Sequence, residues 1–356
     1  MTKLSFIDCT VNDLTPFLKL KNLNTLDIRN CTVNDASSIG KFNNLTHLSL
    51  VLNDISDPSF IQEISKLANL SSLNLSNSGI TDLSLLSNLT NLTELDISKC
   101  NISDISPIAK FTKLTKLNVN TNSIDNISAL ANLTKLADLD LSCNKIVDLS
   151  PISKLTNLEL LNIKKNNVED ISSLKELTNL TEIDLSYNDI KNLSPLSNHT
   201  TRLWWLILSN NSISDLSPLK SLRKVLRLLN LDNNNIKDVS PLSGLYVPFL
   251  SCNNNPLYNS YTPNAIRRSD LDLMGSYGNI EVWVVEPTTF GDVNGDKAIN
   301  SIDFSELSAY LISKTDTLKN LPAADTNDDG SVNSIDFALL RKFILGQINS
   351  LPYSKR

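Results

Sequence analysis

The stretch LADLDLSCNKIVDLSPISKLTN, residues 136–157, is one complete unit of a pattern that fills most of the chain. Leu139 and Leu141 bracket Asp140, Asn144 follows, and then come Ile146 and the run Asp148-Leu149-Ser150-Pro151. Repetition is the first thing to seek, because a periodic chain builds its core between units rather than within them. Aligned on the apolar pair, the units fall at Leu4/Phe6, Leu26/Ile28, Leu48/Leu50, Leu73/Leu75, Leu95/Ile97, Leu117/Val119, Leu139/Leu141, Leu161/Ile163, Ile183/Leu185, Leu206/Leu208 and Leu229/Leu231. Among these eleven units one step is 25 residues, two are 23 and the rest are 22.

Residues two apart on a strand share a face, so both members of each pair point inward and the residue between them points outward. Asn122, Asn144, Asn166 and Asn188 carry amides suited to satisfying backbone groups where the chain leaves the strand. Cys9, Cys31 and Cys100 take that position in their own units, Cys143 lies one residue earlier, and Cys252 falls in a degenerate final stretch. All five thiols are expected to be free and structural; a Cys9–Cys31 bridge between neighbouring units is the open alternative. Ser106-Pro107, Ser150-Pro151, Ser194-Pro195, Ser217-Pro218 and Ser240-Pro241 are each expected to open a short helical turn, with Ser as its cap and Pro at its first position.

This register resembles that of the leucine-rich-repeat family, in the 22-residue style of bacterial internalins. The resemblance implies an α/β solenoid over residues 1–255, a horseshoe with parallel strands on its concave face. The pattern decays after Asn234. Residues 256–286, with Tyr258, Tyr261 and Trp283, read as a C-terminal cap, and 287–290 as a linker. No cap precedes the first unit, so one is expected to have been removed with a leader.

The position between the paired apolar residues forms a row of Asp27, Asn74, Asp96, Asn118, Asp140, Asn162, Asp184 and Asn230. It reads either as a solvated strand face or as a polar groove for sugar hydroxyls or a basic partner. Leu160, Tyr187, Trp205, Ile207 and Leu228 interrupt the polar face. With rungs about 5 Å apart these five are expected to form one apolar patch, either a partner site anchored by Trp205 or a packing surface for the cap.

Composition narrows the function. Net charge is −6 and the pI is about 5.1, which argues against nucleic acid as the main partner. Apolar runs such as VWVV (282–285) are far too short to span a bilayer. The start MTKLSFIDCT lacks the basic and apolar segments of a signal peptide. The expectation is therefore either an intracellular chain or a secreted one whose leader has been trimmed. His47 and His199 are the two histidines, and neither has a nucleophile or metal-ligand partner in the pattern. No enzyme activity is expected.

The C-terminus changes character. DVNGDKAINSID (292–303) and DTNDDGSVNSID (325–336) repeat one acidic loop 33 residues apart. Counted from the first Asp, Asp292, Asn294, Asp296 and Asp303 stand at positions 1, 3, 5 and 12, and Asp325, Asn327, Asp329 and Asp336 repeat them. Carboxylates and amides at these positions, with the position-7 carbonyls of Ala298 and Ser331, make an oxygen set suited to calcium, one ion per loop. Gly330 permits the sharp turn of the second loop, where the first has Lys297.

Each loop is followed by a single apolar helical stretch, 301–313 and 334–348, while VEPTTFG before the first is not helical. A calcium loop with one helix, duplicated over 291–351 and opened by GDVNGD, resembles the dockerin module of cellulosomes; 352–356 is a tail. The resemblance implies a small all-α module, two calcium ions and a cohesin partner on an extracellular scaffoldin. The contact positions it implies are Ser301, Ile302, Ser308, Ala309 and Ser313 in the first segment and Ser334, Ile335, Arg341, Lys342 and Gly346 in the second. The whole then reads as a secreted, non-catalytic cellulosomal component whose repeats bind a protein. Polysaccharide binding by the repeats is the alternative, and an unrecognised hydrolase a more distant one.

Overall fold

The computed structural model describes residues 1–34, 37–55, 57–222, 226–242, 245, 247, 249–256, 307 and 340. The chain divides into two compact units, Met1–Ile236 with Gly244–Asn255, and Lys237–Ser243 with Pro256–Arg356. The expected cap beyond residue 256, the linker, both acidic loops and the implied cohesin contacts lie outside the described residues. In the second unit Leu307 and Leu340, which hold the same place after their respective loops, are each helical and fully buried.

The first unit is a leucine-rich-repeat solenoid. Its sheet has twelve parallel strands in chain order. They are Lys3–Ile7, Thr25–Arg29, His47–Ser49, Ser72–Asn74, Glu94–Asp96, Lys116–Asn118, Asp138–Asp140, Leu160–Asn162, Glu182–Asp184, Trp205–Ile207, Leu228–Asn230 and Phe249–Ser251. We number these rungs one to twelve. Leu139 aligns with Leu117 on one side and Leu161 on the other, and every inward leucine column is built by such pairing. Leu26, Leu117, Leu141 and Leu185 have no exposed surface. Burying such a side chain contributes about 2 kcal/mol, and no rung could do it alone.

Twelve rungs are present where the apolar pairs suggest eleven. In the last, Leu250 aligns with Leu229 and buried Cys252 takes the second inward place. The thiol is small, and the step from Leu229 is shorter than the others, so the leucine pattern misses this rung.

The helical side consists of short turns, as the Ser-Pro pairs suggest. The connecting segments are short 3-10 turns, such as Ser106–Lys110 and Ser194–Asn198, and the one α-helix among the described residues of the first unit is Pro58–Ile64. A 22-residue unit leaves about five residues for this side, enough for i to i+3 bonds but not for stable α turns. The α-helix falls in the 25-residue unit, where three extra residues make room for it.

Ser does not cap these turns. The residue two positions earlier does: Asp148 Oδ1 accepts the Ser150 amide at 2.7 Å, and Asp148 Oδ2 accepts the Ser150 hydroxyl at 2.8 Å. Asp104, Asp170, Asp215 and Asp238 repeat both bonds, while Asn126 and Asn192 supply only the first. These Asx turns hold the carboxyls of Asp82, Asp148 and Asp215 below their usual pKa, because the bonds favour the charged form.

The asparagines behave as the sequence suggests. Asn166 Oδ1 accepts the Ile146 amide at 3.0 Å, and its Nδ2 donates to the carbonyls of Leu141 and Ile163 at 3.0 Å each. One side chain thus fastens its own turn to the rung before it. Asn122, Asn144, Asn188, Asn211, Asn234 and Asn255 do the same.

Candidate functional site

The outward sheet face is the candidate site of the repeats, and strand register fixes its rows. In the row before the first inward residue, Glu94, Lys116, Asp138, Leu160, Glu182, Trp205, Leu228 and Phe249 stand side by side on rungs five to twelve. The row between the inward residues carries the Asp and Asn series, with Ile207 between Asp184 and Asn230.

That polar row is largely structural. Oδ1 of Asn74, Asp96, Asn118, Asp140, Asn162, Asp184 and Asn230 accepts the amide two residues on, at 2.9–3.1 Å. Each side chain therefore shapes the exit from its own strand. One oxygen or amide nitrogen per rung is left for neighbours. Asp96 Oδ2 uses its share to accept from Asn74 and Asn118, at 3.5 and 3.4 Å. Asp27 instead accepts from Arg29 Nε at 2.7 Å.

Rungs five to nine are acidic. Glu94, Asp96, Asp138, Asp140, Glu182 and Asp184 face outward there, and Lys116 Nζ pairs with Asp138 at 2.7 Å. The Asp138 contact raises the Lys116 pKa, and partial burial with Asp138 nearby raises that of Glu182.

The five apolar candidates separate. Leu160, Trp205 and Leu228 share one row and Ile207 lies in the next. Leu228 is 9% exposed and forms a floor between Trp205 and Phe249 rather than a free surface. Tyr187 is not on a strand. It occupies the left-handed turn after rung nine (φ 57°), is 51% exposed, and carries Lys164 Nζ 5.7 Å from its ring centre.

Trp204, which the apolar pattern passes over, is 43% exposed with the Arg227 guanidinium 5.3 Å from its ring. The available signal is its place: it stands where Thr46, Ser71, Thr93, Thr115 and Thr181 bond the preceding rung's carbonyl. An indole makes no such bond there.

Of the histidines, His47 is exposed beside Thr46 Oγ1, at 2.8 Å. His199 is a core residue, 1% exposed, in the place that Phe42, Leu89 and Phe111 fill elsewhere. Neither ring nitrogen has a bonded partner among the described residues. Burial lowers its pKa; the Leu196 and Leu177 carbonyls oppose this without reaching bonding geometry. All five thiols are unbridged. Among the described residues no group of three or more His, Cys, Asp or Glu is placed to hold a metal ion. No described helix is long and apolar enough to cross a membrane.

Family models match this chain in three places: a leucine-rich repeat region at residues 2–150, a leucine rich repeat at 139–190 and a dockerin type I domain at 290–345. The chain is similar to an internalin (InlF) from Listeria monocytogenes, with 32% identity, a TM-score of 0.65, and coverage of 72% of this chain and 74% of that one. A leucine-rich-repeat protein of Leptospira interrogans shares the fold at 23% identity and a TM-score of 0.51, over 73% of this chain and 80% of that one. No match was found among curated proteins. Repeats joined to a dockerin support a protein-interaction role in a cellulosome-like assembly, with a cohesin as the partner a dockerin implies and calcium as the ion type I dockerins bind. The chain belongs to the internalin-like leucine-rich-repeat proteins and carries a C-terminal type I dockerin domain.

Proposed function

We propose that this chain is a secreted, non-catalytic component that plugs into a scaffoldin through its dockerin and captures a protein with the outward face of its repeats. Two calcium ions complete the dockerin, held by Asp292, Asn294, Asp296, Ala298 and Asp303 and by Asp325, Asn327, Asp329, Ser331 and Asp336. The all-oxygen donor set supports this reading. The ions also neutralise carboxylates whose mutual repulsion opposes folding of so small a core.

The Ser-Ile pairs Ser301-Ile302 and Ser334-Ile335 give the two segments equivalent cohesin faces. Arg341 and Lys342, which replace Ser308 and Ala309, favour the second. A full chain carrying Ser334→Asp with Arg341→Ala should lose more cohesin affinity than one carrying Ser301→Asp. The reverse order in titration calorimetry would reject the preference. Chelating calcium should abolish binding to either face.

One observation carries the reading of the repeats: a single strand row passes from Glu94, Lys116 and Asp138 to Leu160, Trp205 and the Leu228 floor. An apolar anchor beside six carboxylates suits a protein with a basic stretch next to an aromatic or aliphatic side chain. The full chain, immobilised through a cohesin, should retain such a protein from culture supernatant. Trp204→Ala with Trp205→Ala should release it, and added salt should weaken it. Retention that ignores both the substitutions and salt would place the interaction elsewhere. The exposed Trp204 ring favours a second reading, stacking on a sugar of an insoluble glucan. Sedimentation with the glucan, lost in Trp204→Ala, would favour that reading instead.

A further inference from the structure

Rungs one and two lack the asparagine fastening that holds most of the solenoid, and two thiols stand in its place. Cys9 and Cys31 are 22 residues apart on neighbouring rungs, with their sulfurs at 3.4 Å. The backbone around them is fixed on both sides. Asp8 donates its amide to the Arg29 carbonyl at 3.1 Å, the Cys9 carbonyl accepts the Thr32 amide at 3.1 Å, and Thr10 pairs with Thr32 in a small parallel sheet. Neighbouring parallel strands are about 4.8 Å apart, within the Cα separation of about 4.4–6.8 Å that a disulfide tolerates. Side-chain rotation alone can close the remaining gap.

The two thiols are also suited to different parts of the exchange. Cys9 is exposed and open to a reagent, while Cys31 is buried behind it. Cys31 is a weak fastening as a thiol: its sulfur accepts the Cys9 amide at 3.4 Å and donates to the Arg29 carbonyl at 3.2 Å, both weak sulfur bonds, whereas asparagine offers two amide donors and a carbonyl acceptor. No other pair of thiols is in contact among the described residues. Cys100 has the Ser78 hydroxyl 3.9 Å away, and Cys143 and Cys252 make no sulfur contact with another cysteine.

We propose that Cys9 and Cys31 form a disulfide that locks rung one to rung two. The oxidant is a small-molecule disulfide such as oxidised glutathione. The Cys9 thiolate attacks one of its sulfurs, forming a mixed disulfide and releasing one reduced thiol. The Cys31 thiolate then attacks the Cys9 sulfur and releases the second. Two protein thiols and one external disulfide become one protein disulfide and two external thiols, which take up the two protons.

The test uses the full chain, reduced and then incubated with oxidised glutathione. Thiols are counted after acid quench and denaturation, and the linked peptides are mapped. The count should fall from the five cysteines of the chain to three. A Cys9–Cys31 peptide should appear, and the amide of Asp8 and those of rung two should exchange more slowly with deuterium. Cys9→Ser should hold its count unchanged by the oxidant. Glutathione remaining on Cys9, five thiols surviving, linkage through another cysteine, or a bridge that leaves exchange unaltered would each overturn the proposal.

Discussion

Rungs one to five and rungs six to twelve bury the same leucines but close their turns with different chemistry. From Asn122 onward every rung has an asparagine fastening. Before it the same place holds Cys9, Cys31, Asn53, Ser78 and Cys100, of which Asn53 alone makes the amide bonds. Cys100 imitates the bond across rungs with its sulfur, donating to the Leu75 carbonyl at 3.2 Å, where Asn122 Nδ2 reaches the Ile97 carbonyl at 2.9 Å. The sheet continues through both regions without a change in register. The leucine columns therefore determine the fold, while the fastening sets how firmly each turn is held.

Four substitutions test this contrast. Leu73→Ala and Leu161→Ala, one in each region, should cost alike, about 3 kcal/mol each in denaturant unfolding. A large inequality would mean that the cores differ after all. Asn166→Ala should come next, at about 2 kcal/mol or more, since it strands buried backbone groups on two rungs. Cys100→Ala should cost clearly less, and equal losses would erase the distinction between the regions.

His199→Leu should stabilise the asparagine-rich region by about 1 kcal/mol at neutral pH, because it removes unpartnered nitrogens from the core. It should also flatten the response to acid. With a folded pKa below the ordinary 6.5, the unfolded chain takes up a proton that the folded chain refuses. The parent's stability should fall as pH drops through 6.5 toward that lower value, and stay level above it. An identical acid response in parent and variant would remove His199 from this role. Cys100→Asn should have the smallest effect, a gain on the order of 1 kcal/mol from the restored amide bonds. A loss would show that the cysteine turns are built for sulfur, in keeping with the second left-handed residue there, Asn101 at φ 59°.

Much of this was legible in the residues. The inward pairs give strand positions, because period-two alternation and a fixed 22-residue step leave one register. The Asn positions give the fastening, because an amide offers a separate acceptor oxygen and two N–H donors at once. The Asx turns were harder to read. Ser-Pro invites the reading of Ser as cap, while the working carboxylate of Asp148 sits two residues earlier in a run that also reads as solvated. His199 stands in line with Phe111, at the same distance after its rung's first inward residue, but an imidazole in that place reads as a turn residue rather than as core. The apolar patch was half legible: register follows from the leucines, but exposure depends on neighbours. So Leu228 proves to be a floor, Tyr187 stands beyond the strands, and Trp204 joins the surface.

Every rung leaves its strand through a left-handed residue four places after its first inward residue, and none of these twelve is glycine: Asp8, Asn30, Leu52, Asn77, Lys99, Thr121, Cys143, Lys165, Tyr187, Asn210, Asn233 and Asn254. The conformation costs a non-glycine residue about 1 kcal/mol. An inter-rung bond from that residue's own amide offsets it, such as Tyr187 to the Ser209 carbonyl at 2.9 Å. Because the backbone holds the bend, the side chain is free to vary. Acid, base, amide, thiol, aliphatic and aromatic groups all occupy it in one molecule. The solenoid thus carries a margin of twelve writable places along one edge, where duplication and drift can change what the surface says without disturbing the page.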